Sequence, residues 1–342
     1  MTDEPLPGDA GWKIYRGDGR RHDGISRLPD APPWRRFDGE TLPPAEDATG
    51  PGQTDHRPGA DLRAEAYRPD PELADMVNAA IYLRRPLLVT GKPGTGKSTL
   101  ALSVAWELQL GPVLYWPVTS RSQVQESLYR YDAVGRLQKA NLQRLRDEEP
   151  SAGAAEFIGL GPLGTALVAR DRPRVLLVDE FDKGDIDLPN DLLNVLEEGE
   201  FTIPELARER SAEPVPVVAA DGTTVQVRNG RVRCHAFPVI IITSNGEREF
   251  PHAFRRRCLH ARISAPSRAK LETIVREQLG APATAEVEAL FNRFIAERDA
   301  ADLPTDRLLN AIYLALSGLT SDQQASRRVI DNLFAPPGSE AS

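Results

Sequence analysis

The stretch of the chain from residue 87 to residue 100 constrains its fold more than any other. It reads Leu-Leu-Val-Thr-Gly-Lys-Pro-Gly-Thr-Gly-Lys-Ser-Thr-Leu, so an apolar run typical of a strand meets a glycine-rich turn, and a helical pattern follows. Residues 91–98 have the spacing G-x-x-x-x-G-K-[ST] of a phosphate-binding loop. The order strand, loop and helix predicts an α/β fold with a phosphate site at the end of a strand.

The residue types in this loop suit a nucleoside triphosphate. Glycines let the backbone curve so that successive N–H groups point at phosphate oxygens, and the positive end of the following helix adds to this attraction. Lys97 is expected to reach the β- and γ-phosphates, and the Ser98 hydroxyl to bind Mg²⁺. The predicted nucleotide-binding residues are Gly91, Pro93, Gly94, Thr95, Gly96, Lys97, Ser98 and Thr99. The alternative, a glycine-rich turn with a solvated lysine, fits less well because the flanking strand and helix are both readable.

Composition narrows the class of protein. The chain has 342 residues, room for two domains, and a formal net charge of −8 that disfavours nucleic acid as the main partner. Cys234 and Cys258 have neither metal-binding nor disulfide spacing, which is typical of the reducing cytosol. The first residues carry no apolar signal segment, and no run approaches about 18 apolar residues. We therefore expect a cytoplasmic protein that does not span a membrane.

The first 60 residues differ from the rest of the chain. Proline and glycine make up 18 of these 60 positions, a composition typical of an unstructured segment. Yet the segment also holds Trp12 and Trp34, which a solvated linker does not need. We expect residues 11–37 to lie extended on a folded surface with the aromatic side chains as anchors, and residues 40–60 to be a linker. A disordered tail with incidental aromatic residues is the alternative.

Two further strand ends carry polar groups suited to hydrolysis. Residues 174–180 form an apolar run that ends in Asp179 and Glu180. Asp179 is placed to hold Mg²⁺, and Glu180 to polarise an attacking water molecule. Such a pair can also be a helix N-cap, but the phosphate-binding loop upstream favours the catalytic interpretation. A second buried run, at 237–243, is followed by Asn245, whose amide can position that water molecule.

Three consecutive arginines, at 255–257, end a short helical segment. They are either a solvated basic turn, a patch for an acidic partner, or an arginine finger that neutralises charge on the γ-phosphate of a neighbouring subunit. Between the strands, residues 121–165 form an insertion, and residues 215–233 alternate in polarity with two hairpin turn signals. We expect that hairpin to project from the core. Residues 266–334 are predicted to be a small helical domain, and 335–342 a tail.

These motifs, in this order, resemble an AAA+ ATPase, and the insertion and the hairpin resemble its MoxR-like branch, which is related to dynein-type modules. The resemblance implies a P-loop NTPase core at residues 61–265, with a parallel sheet in a three-layer α/β/α arrangement, followed by a helical lid. It implies that Asp179 belongs to the Mg²⁺ site, that Glu180 is the catalytic base and that Asn245 is the sensor 1 residue.

The same resemblance assigns roles outside the loop. Arg257, with Arg256 as its competitor, would be the finger acting in trans, and Arg307 at the start of a lid helix would be the sensor 2 residue unless it is a plain surface arginine. The implied ligands are ATP and Mg²⁺. The implied partners are further copies of the chain in a homo-hexameric ring, and a protein substrate or partner with a von Willebrand A domain.

Three other functions remain open from sequence alone. One is a nucleotide-gated scaffold in a multi-component defence or signalling system, and another is a nucleic-acid-associated AAA+ motor. A phosphotransferase is the least favoured, because nothing suggests a pocket for a small acceptor.

Overall fold

The computed structural model describes residues 11–42, 59–146, 153–209, 211, 213–280, 284–301, 303–317 and 323–334. Most of the predicted linker and the predicted tail at 335–342 lie outside these ranges. The strands are β1 Leu87–Gly91, β2 Leu114–Pro117, β3 Tyr129–Tyr131, β4 Ile158–Leu160, β5 Val175–Asp179, β6 Glu200–Thr202, β7 Val215–Val218, β8 Thr224–Val227, β9 Arg231–Arg233, β10 Val239–Ser244 and β11 Leu259–Ile263. The helices are α1 Ala60–Ala66, α2 Pro71–Leu83, α3 Lys97–Glu107, α4 Val124–Leu128, α5 Ala133–Leu145, α6 Pro162–Ala166, α7 Leu188–Glu198, α8 Pro204–Glu209, α9 His252–Arg257, α10 Arg268–Leu279, α11 Ala285–Ala301, α12 Thr305–Ser317 and α13 Gln323–Phe334.

A parallel sheet forms the core, in the order β11-β1-β10-β5-β2. Strands β5 and β10 are buried along their whole length, as expected for parallel strands covered on both faces. Side chains alternate between the two faces, so that Leu88 belongs to one apolar cluster and Val89 to the other. The α/β core predicted from the sequence is therefore confirmed.

The strand order decides where the functional groups meet. β10 lies between β1 and β5, although it follows both of them in the chain. In a parallel sheet the carboxyl ends of neighbouring strands lie at one edge, and ligands bind there in open α/β sheets. The phosphate-binding loop after β1, the acidic pair at the end of β5 and the polar residues after β10 are thus brought side by side.

A second, smaller sheet packs on one side of the core. It has the order β3-β4-β7-β8, and it joins the insertion at 121–165 to the segment at 215–233. The expectation that this hairpin projects from the core is wrong. The side chains of Val217, Val225 and Val227 are buried in an apolar cluster shared with the core sheet, because alternating valines give the ribbon one apolar face.

The N-terminal segment at 11–42 lies along α2 and α3. Ile14 and Tyr15 are buried, and both of their backbone N–H groups donate to the side-chain oxygen of Asn78 on α2. The tryptophans are not the anchors that the sequence suggested, because Trp34 is 75% exposed and Trp12 is 43% exposed. The aromatic anchors are instead Tyr15, which is fully buried, and Phe37, which stacks on Phe237 at a centroid distance of 5.0 Å. Asn78 on α2 and Glu107 on α3 also accept hydrogen bonds from the backbone of the segment.

The C-terminal helices α10–α13 have a separate apolar core that includes Leu271, Phe294, Leu308 and Phe334. The ion pair between Lys270 and Asp70, at 2.7 Å, is one of the contacts between this lid and the rest of the chain. No helix among the described residues is long and apolar enough to cross a membrane.

Candidate nucleotide-binding site

The phosphate-binding loop has the backbone geometry that its glycines allow. Gly94 and Gly96 have φ angles of +71° and +89°, in the left-handed region that side chains with a Cβ avoid. A Cβ at Gly91 would come within 2.5 Å of the backbone oxygen of Ile263 on the adjacent strand. The loop therefore needs glycine both for its conformation and for its close approach to β11.

Lys97, the first residue of α3, is buried and points back into the loop. Its ammonium group donates to the backbone oxygens of Gly91 and Lys92 at 2.7 and 2.8 Å, and to Oδ1 of Asn245 at 2.9 Å. These acceptors hold the charge at the centre of the curved loop. Nucleotide binding would exchange some of these contacts for phosphate oxygens.

The Ser98 hydroxyl and the Asp179 carboxylate form the next group. Ser98 donates to Oδ1 of Asp179 at 2.7 Å, and Thr243 on β10 donates to the same oxygen at 2.6 Å. Tyr115 reaches Oδ2 at 3.4 Å. Hydroxyl and carboxylate oxygens are the hard ligands that Mg²⁺ prefers, so this donor set fits the predicted ion.

Glu180 leaves the strand in a left-handed conformation, with a φ of +58°. Its N–H donates to Oγ1 of Thr243 at 2.9 Å, and its half-exposed side chain forms an ion pair of 2.8 Å with Lys183. The hydrogen bond from Lys183 to Glu180 raises the pKa of the Lys183 ammonium. The sequence interpretation missed Lys183, although its position three residues after the carboxylate was a usable signal.

Asp182 joins the acidic turn to the end of β10. It is buried, and its Oδ2 accepts the N–H groups of Asn245 at 2.9 Å and Glu247 at 3.2 Å. The backbone of Asn245 is thus fixed by the acidic turn after β5, while its side chain contacts Lys97. No local sequence pattern singles out Asp182, since only the order of the strands brings it to β10.

A cleft of about 530 Å³ opens beside the loop, between the segment before α2 and the lid. Its lining includes residues of the lid and of the segment before α2, among them Tyr67, Pro304, Thr305 and other residues of α1, α10 and α12. The phosphate-binding loop contributes Gly94, Thr95, Gly96, Lys97, Ser98 and Thr99. Gly91 and Pro93 are outside this lining. Burial, and secondarily Asp70, raises the pKa of Tyr67, so its phenol is neutral at physiological pH. Tyr67 therefore adds an uncharged aromatic ring to the cleft, whose lining also holds the charged residues Arg63, Arg68, Lys270 and Asp306.

The predicted arginines lie elsewhere. Arg307 donates to the backbone oxygen of Leu333 at 3.1 Å, within the lid, and does not line the cleft. Arg257 forms an ion pair of 2.9 Å with Glu197 of α7, and the side chain of Arg256 is exposed. The chain's own fold brings neither Arg256 nor Arg257 into the lining of the cleft.

This fold and this site define a P-loop NTPase core of the AAA+ class, with a helical lid after it. Residues 86–258, just over half of the chain, match the family described as AAA domain (dynein-related subfamily). The chain belongs to that family of ATPases.

The comparisons with curated proteins and with solved structures add no evidence for the family assignment. No curated protein matches the chain. Among solved structures, the chain is similar to a protein described as "Structure of C. elegans PCH-2", with 14% sequence identity over 80% of this chain and 64% of that one, and a TM-score of 0.34. The family assignment rests on the sequence match over residues 86–258.

Proposed function

We propose that this chain is an ATP hydrolase of MoxR type that works as an oligomeric ring and remodels or activates a protein partner. One observation carries the proposal. Four side chains converge at one edge of the sheet, next to Glu180: those of Lys97, Ser98, Asp179 and Asn245. The arginines that would complete the site are on another surface. An arginine that stabilises the transition state can come from the same chain or from a neighbour, and we infer that here a second copy supplies it.

The proposed reaction is attack of a water molecule on the γ-phosphorus, in line with the bond to the β-phosphate. Glu180 takes a proton from that water molecule, and the bridging oxygen leaves with ADP. Lys97 neutralises charge on the β- and γ-phosphates, and Asn245 orients the attacking water. Mg²⁺, held by Ser98 and Asp179, would supply further neutralisation of the phosphate oxygens.

We propose that two groups move during this reaction. Lys183 contacts Oε2 of Glu180 in this structure, and the carboxylate would turn away from that partner toward the attacking water. Arg307, if it acts as the sensor 2 residue, must exchange the Leu333 carbonyl for a phosphate oxygen. Arg307 is on α12, which borders the cleft through Thr305, Asp306 and Leu309, so nucleotide binding can be coupled to its movement.

A partner surface is proposed on the insertion. The exposed side of α5 carries Val134, Leu137, Leu142 and Leu145, which are between 54% and 85% exposed. An apolar patch on a solvent-facing helix is typical of a protein-binding surface. Resemblance to MoxR-like proteins suggests a von Willebrand A domain protein as the partner, a hexamer as the ring and the cytoplasm as the location.

The test is ATP hydrolysis as a function of protein concentration, with particle size measured in parallel. Glu180→Gln should lower kcat by about 10² to 10⁴ while ATP binding is kept. Arg257→Ala should lower it by about 10³ or more if this residue is the finger. Glu249→Gln and Arg255→Ala are the matched controls, and Arg256→Ala decides between the two candidate arginines.

Activity that rises with assembly and is lost in both variants supports the shared site. A rate that is independent of concentration and survives Arg257→Ala and Arg256→Ala would contradict it. The ion pair that holds Glu180 to Lys183 favours one second candidate, a nucleotide-gated scaffold that hydrolyses slowly. That candidate predicts that the wild type stays assembled with ATP for many minutes and that Lys183→Met increases its turnover.

A further inference from the structure

The arm at residues 11–42 contains one buried arginine. Arg35 is only 7% exposed, and its guanidinium lies 5.0 and 4.8 Å from the ring centroids of Phe37 and Phe237. Burial lowers the pKa of Arg35. A buried guanidinium is costly unless its donors are satisfied, so its partners indicate what this arginine is for.

The partners of Arg35 are backbone carbonyls at the ends of two helices. Nε and Nη2 donate to the oxygen of Arg84, just after α2, at 3.1 and 2.7 Å. Nη2 and Nη1 donate to the oxygens of Leu196 and Glu197, in the last turn of α7, at 3.0 and 3.2 Å. The last carbonyls of a helix have no partner within it, and a positive charge there is favoured by the helix dipole. Arg35 therefore fixes the end of α7.

The side chain of Glu197 at this helix end connects Arg35 to Arg257. Its Oε2 lies 3.7 Å from Nη1 of Arg35, and its Oε1 accepts from Nε of Arg257 at 2.9 Å. Arg257 also donates to the backbone oxygen of Ala253, one turn earlier on α9. One carboxylate thus sits between the buried arginine of the arm and the half-buried Arg257 at the end of α9.

We propose that Arg35 and Glu197 are positioning residues for Arg257, so that the arm of one subunit controls ATP hydrolysis in the site of its neighbour. This inference rests on the proposed function, in which Arg257 acts in trans. Arg35 sets the position of the α7 end, Glu197 holds the guanidinium of Arg257 in one orientation, and that orientation determines what the finger can reach.

The energetics suit such a role. A free arginine side chain has many rotamers, and ordering it in advance removes that entropic cost from the transition state. The Glu197–Arg257 pair is about two-fifths exposed on each side, so it is weak enough to be exchanged for a phosphate oxygen. A displacement of about 1 Å in a catalytic group can cost about a hundredfold in rate. Loss of Arg35 should therefore lower trans hydrolysis by about tenfold or more.

The experiment mixes two inactive variants of the full chain. Glu180→Gln subunits keep the finger but cannot hydrolyse ATP, and Arg257→Ala subunits keep the catalytic carboxylate but lack the finger. Rings that contain both should recover hydrolysis. Arg35→Met is then placed either in the Glu180→Gln subunit, which donates the finger, or in the Arg257→Ala subunit, which does not.

We expect hydrolysis to fall at least about tenfold when Arg35→Met is in the finger-donating subunit, and to stay within about twofold when it is in the other. Arg36→Met, an exposed neighbour on the same arm, should have no effect in either position. An equal fall in both positions would mean that Arg35 has a merely structural role and would overturn the inference. No fall in either position would overturn it as well. If the unmodified mixture is inactive, the shared site itself is wrong and the inference falls with it.

A second variant keeps the inference testable if Arg35→Met disrupts the fold. If Arg35→Met lowers the melting temperature so far that rings are lost, Glu197→Ala replaces it in the same two positions, since Glu197 is a surface residue. It should give the same asymmetry, and Glu198→Ala, its exposed neighbour, should not. A symmetric result for Glu197→Ala would overturn the inference.

Discussion

Nζ of Lys97 lies 2.9 Å from Oδ1 of Asn245, although the two residues are 148 positions apart in the chain. This contact joins the phosphate-binding loop after β1 to the end of β10. It exists because the two strands are hydrogen-bonded neighbours in the sheet. The ammonium group that would bind a phosphate is thus also the hydrogen-bond partner of the Asn245 amide, and exchange of this contact for a phosphate oxygen would release that amide.

The first prediction concerns Lys97. Lys97→Met removes a charged donor from the centre of the loop, and we expect the affinity for ATP to fall by about a hundredfold, the usual effect of losing one or two charge-assisted hydrogen bonds. Isothermal titration calorimetry with ATP and Mg²⁺ measures this directly. Lys139→Met, which removes a surface charge on α5, should leave the affinity unchanged. Tight ATP binding by Lys97→Met would show that the phosphates bind elsewhere.

The second prediction concerns Asp182, which accepts the N–H groups of Asn245 and Glu247. Asp182→Ala leaves both donors without this acceptor in a largely buried region. The free energy of unfolding should fall by about 1–3 kcal/mol, and kcat should fall more than ATP affinity because Asn245 loses its fixed position. Denaturant titration and steady-state kinetics measure the two effects.

Asp187→Ala, at an exposed position just before α7, is the control for Asp182. It should change the free energy of unfolding by no more than about 0.5 kcal/mol, and it should leave kcat unchanged. If Asp182→Ala changed stability but left kcat intact, Asp182 would be a structural residue without influence on the orientation of Asn245.

The third prediction concerns Glu107, at the end of α3. Its carboxylate is fully buried and accepts the backbone N–H groups of residues 16–19, together with Nε2 of His22 at 3.1 Å. Glu107→Gln turns an –NH₂ group toward these donors and removes the negative charge that holds them. We expect a loss of about 3 kcal/mol in the free energy of unfolding, or release of the arm from the core.

Hydrogen exchange distinguishes the two outcomes for Glu107→Gln. Release of the arm would speed exchange at residues 16–19 but leave β1 and β10 protected, whereas global destabilisation would affect all of them. Glu126→Gln, an exposed position on α4, is the matched control. Unchanged exchange and unchanged stability in Glu107→Gln would mean that the carboxylate does not hold the arm.

The fourth prediction is a pH dependence. Burial raises the pKa of the Cys234 and Cys258 thiols to about 12, whereas a thiol in an unfolded chain ionises near about pH 8.5. Between about pH 9 and pH 12 the unfolded state therefore binds fewer protons than the folded state. The free energy of unfolding should fall as the pH rises through that window, by up to about 1.4 kcal/mol per pH unit for each thiol, and this contribution is constant below about pH 8.

Urea denaturation at pH 8 and pH 10.5 tests the sign of the thiol effect. The double variant Cys234→Ala, Cys258→Ala should lose less stability between these two pH values than the wild type. Tyrosines with a raised pKa, such as Tyr15, contribute equally to both proteins and cancel in the comparison. An identical loss in the two proteins would contradict the assignment.

Local patterns in the sequence predicted much of the candidate site at the carboxyl edge of the core sheet. The loop at 91–98 is defined by residue types at fixed spacing, because phosphate binding depends on backbone N–H groups and one lysine that are close in the chain. The strands β5 and β10 are continuous apolar runs followed directly by polar residues, which is a local signal as well. These features need no knowledge of what packs against them.

Other features depended on contacts between distant segments. The hairpin at 215–233 gave a correct local signal for β7 and β8, but only the second sheet determines that these strands pack against the core and do not project from it. Trp34 drew attention because of its type, yet the neighbouring Arg35 is the buried residue. Its partners are carbonyls that lie 49 to 162 positions away.

The sequence by itself determined the strands β1, β5 and β10 and the phosphate-binding loop, since each follows from residue types within a short window, and the order of these motifs indicated the AAA+ class. The tertiary structure alone decided which side chain meets which. The strand order places Asn245 beside Lys97, and the course of the arm places Arg35 against the end of α7. Such pairings depend on how distant elements pack together in the folded chain, and no local pattern in the sequence encodes them.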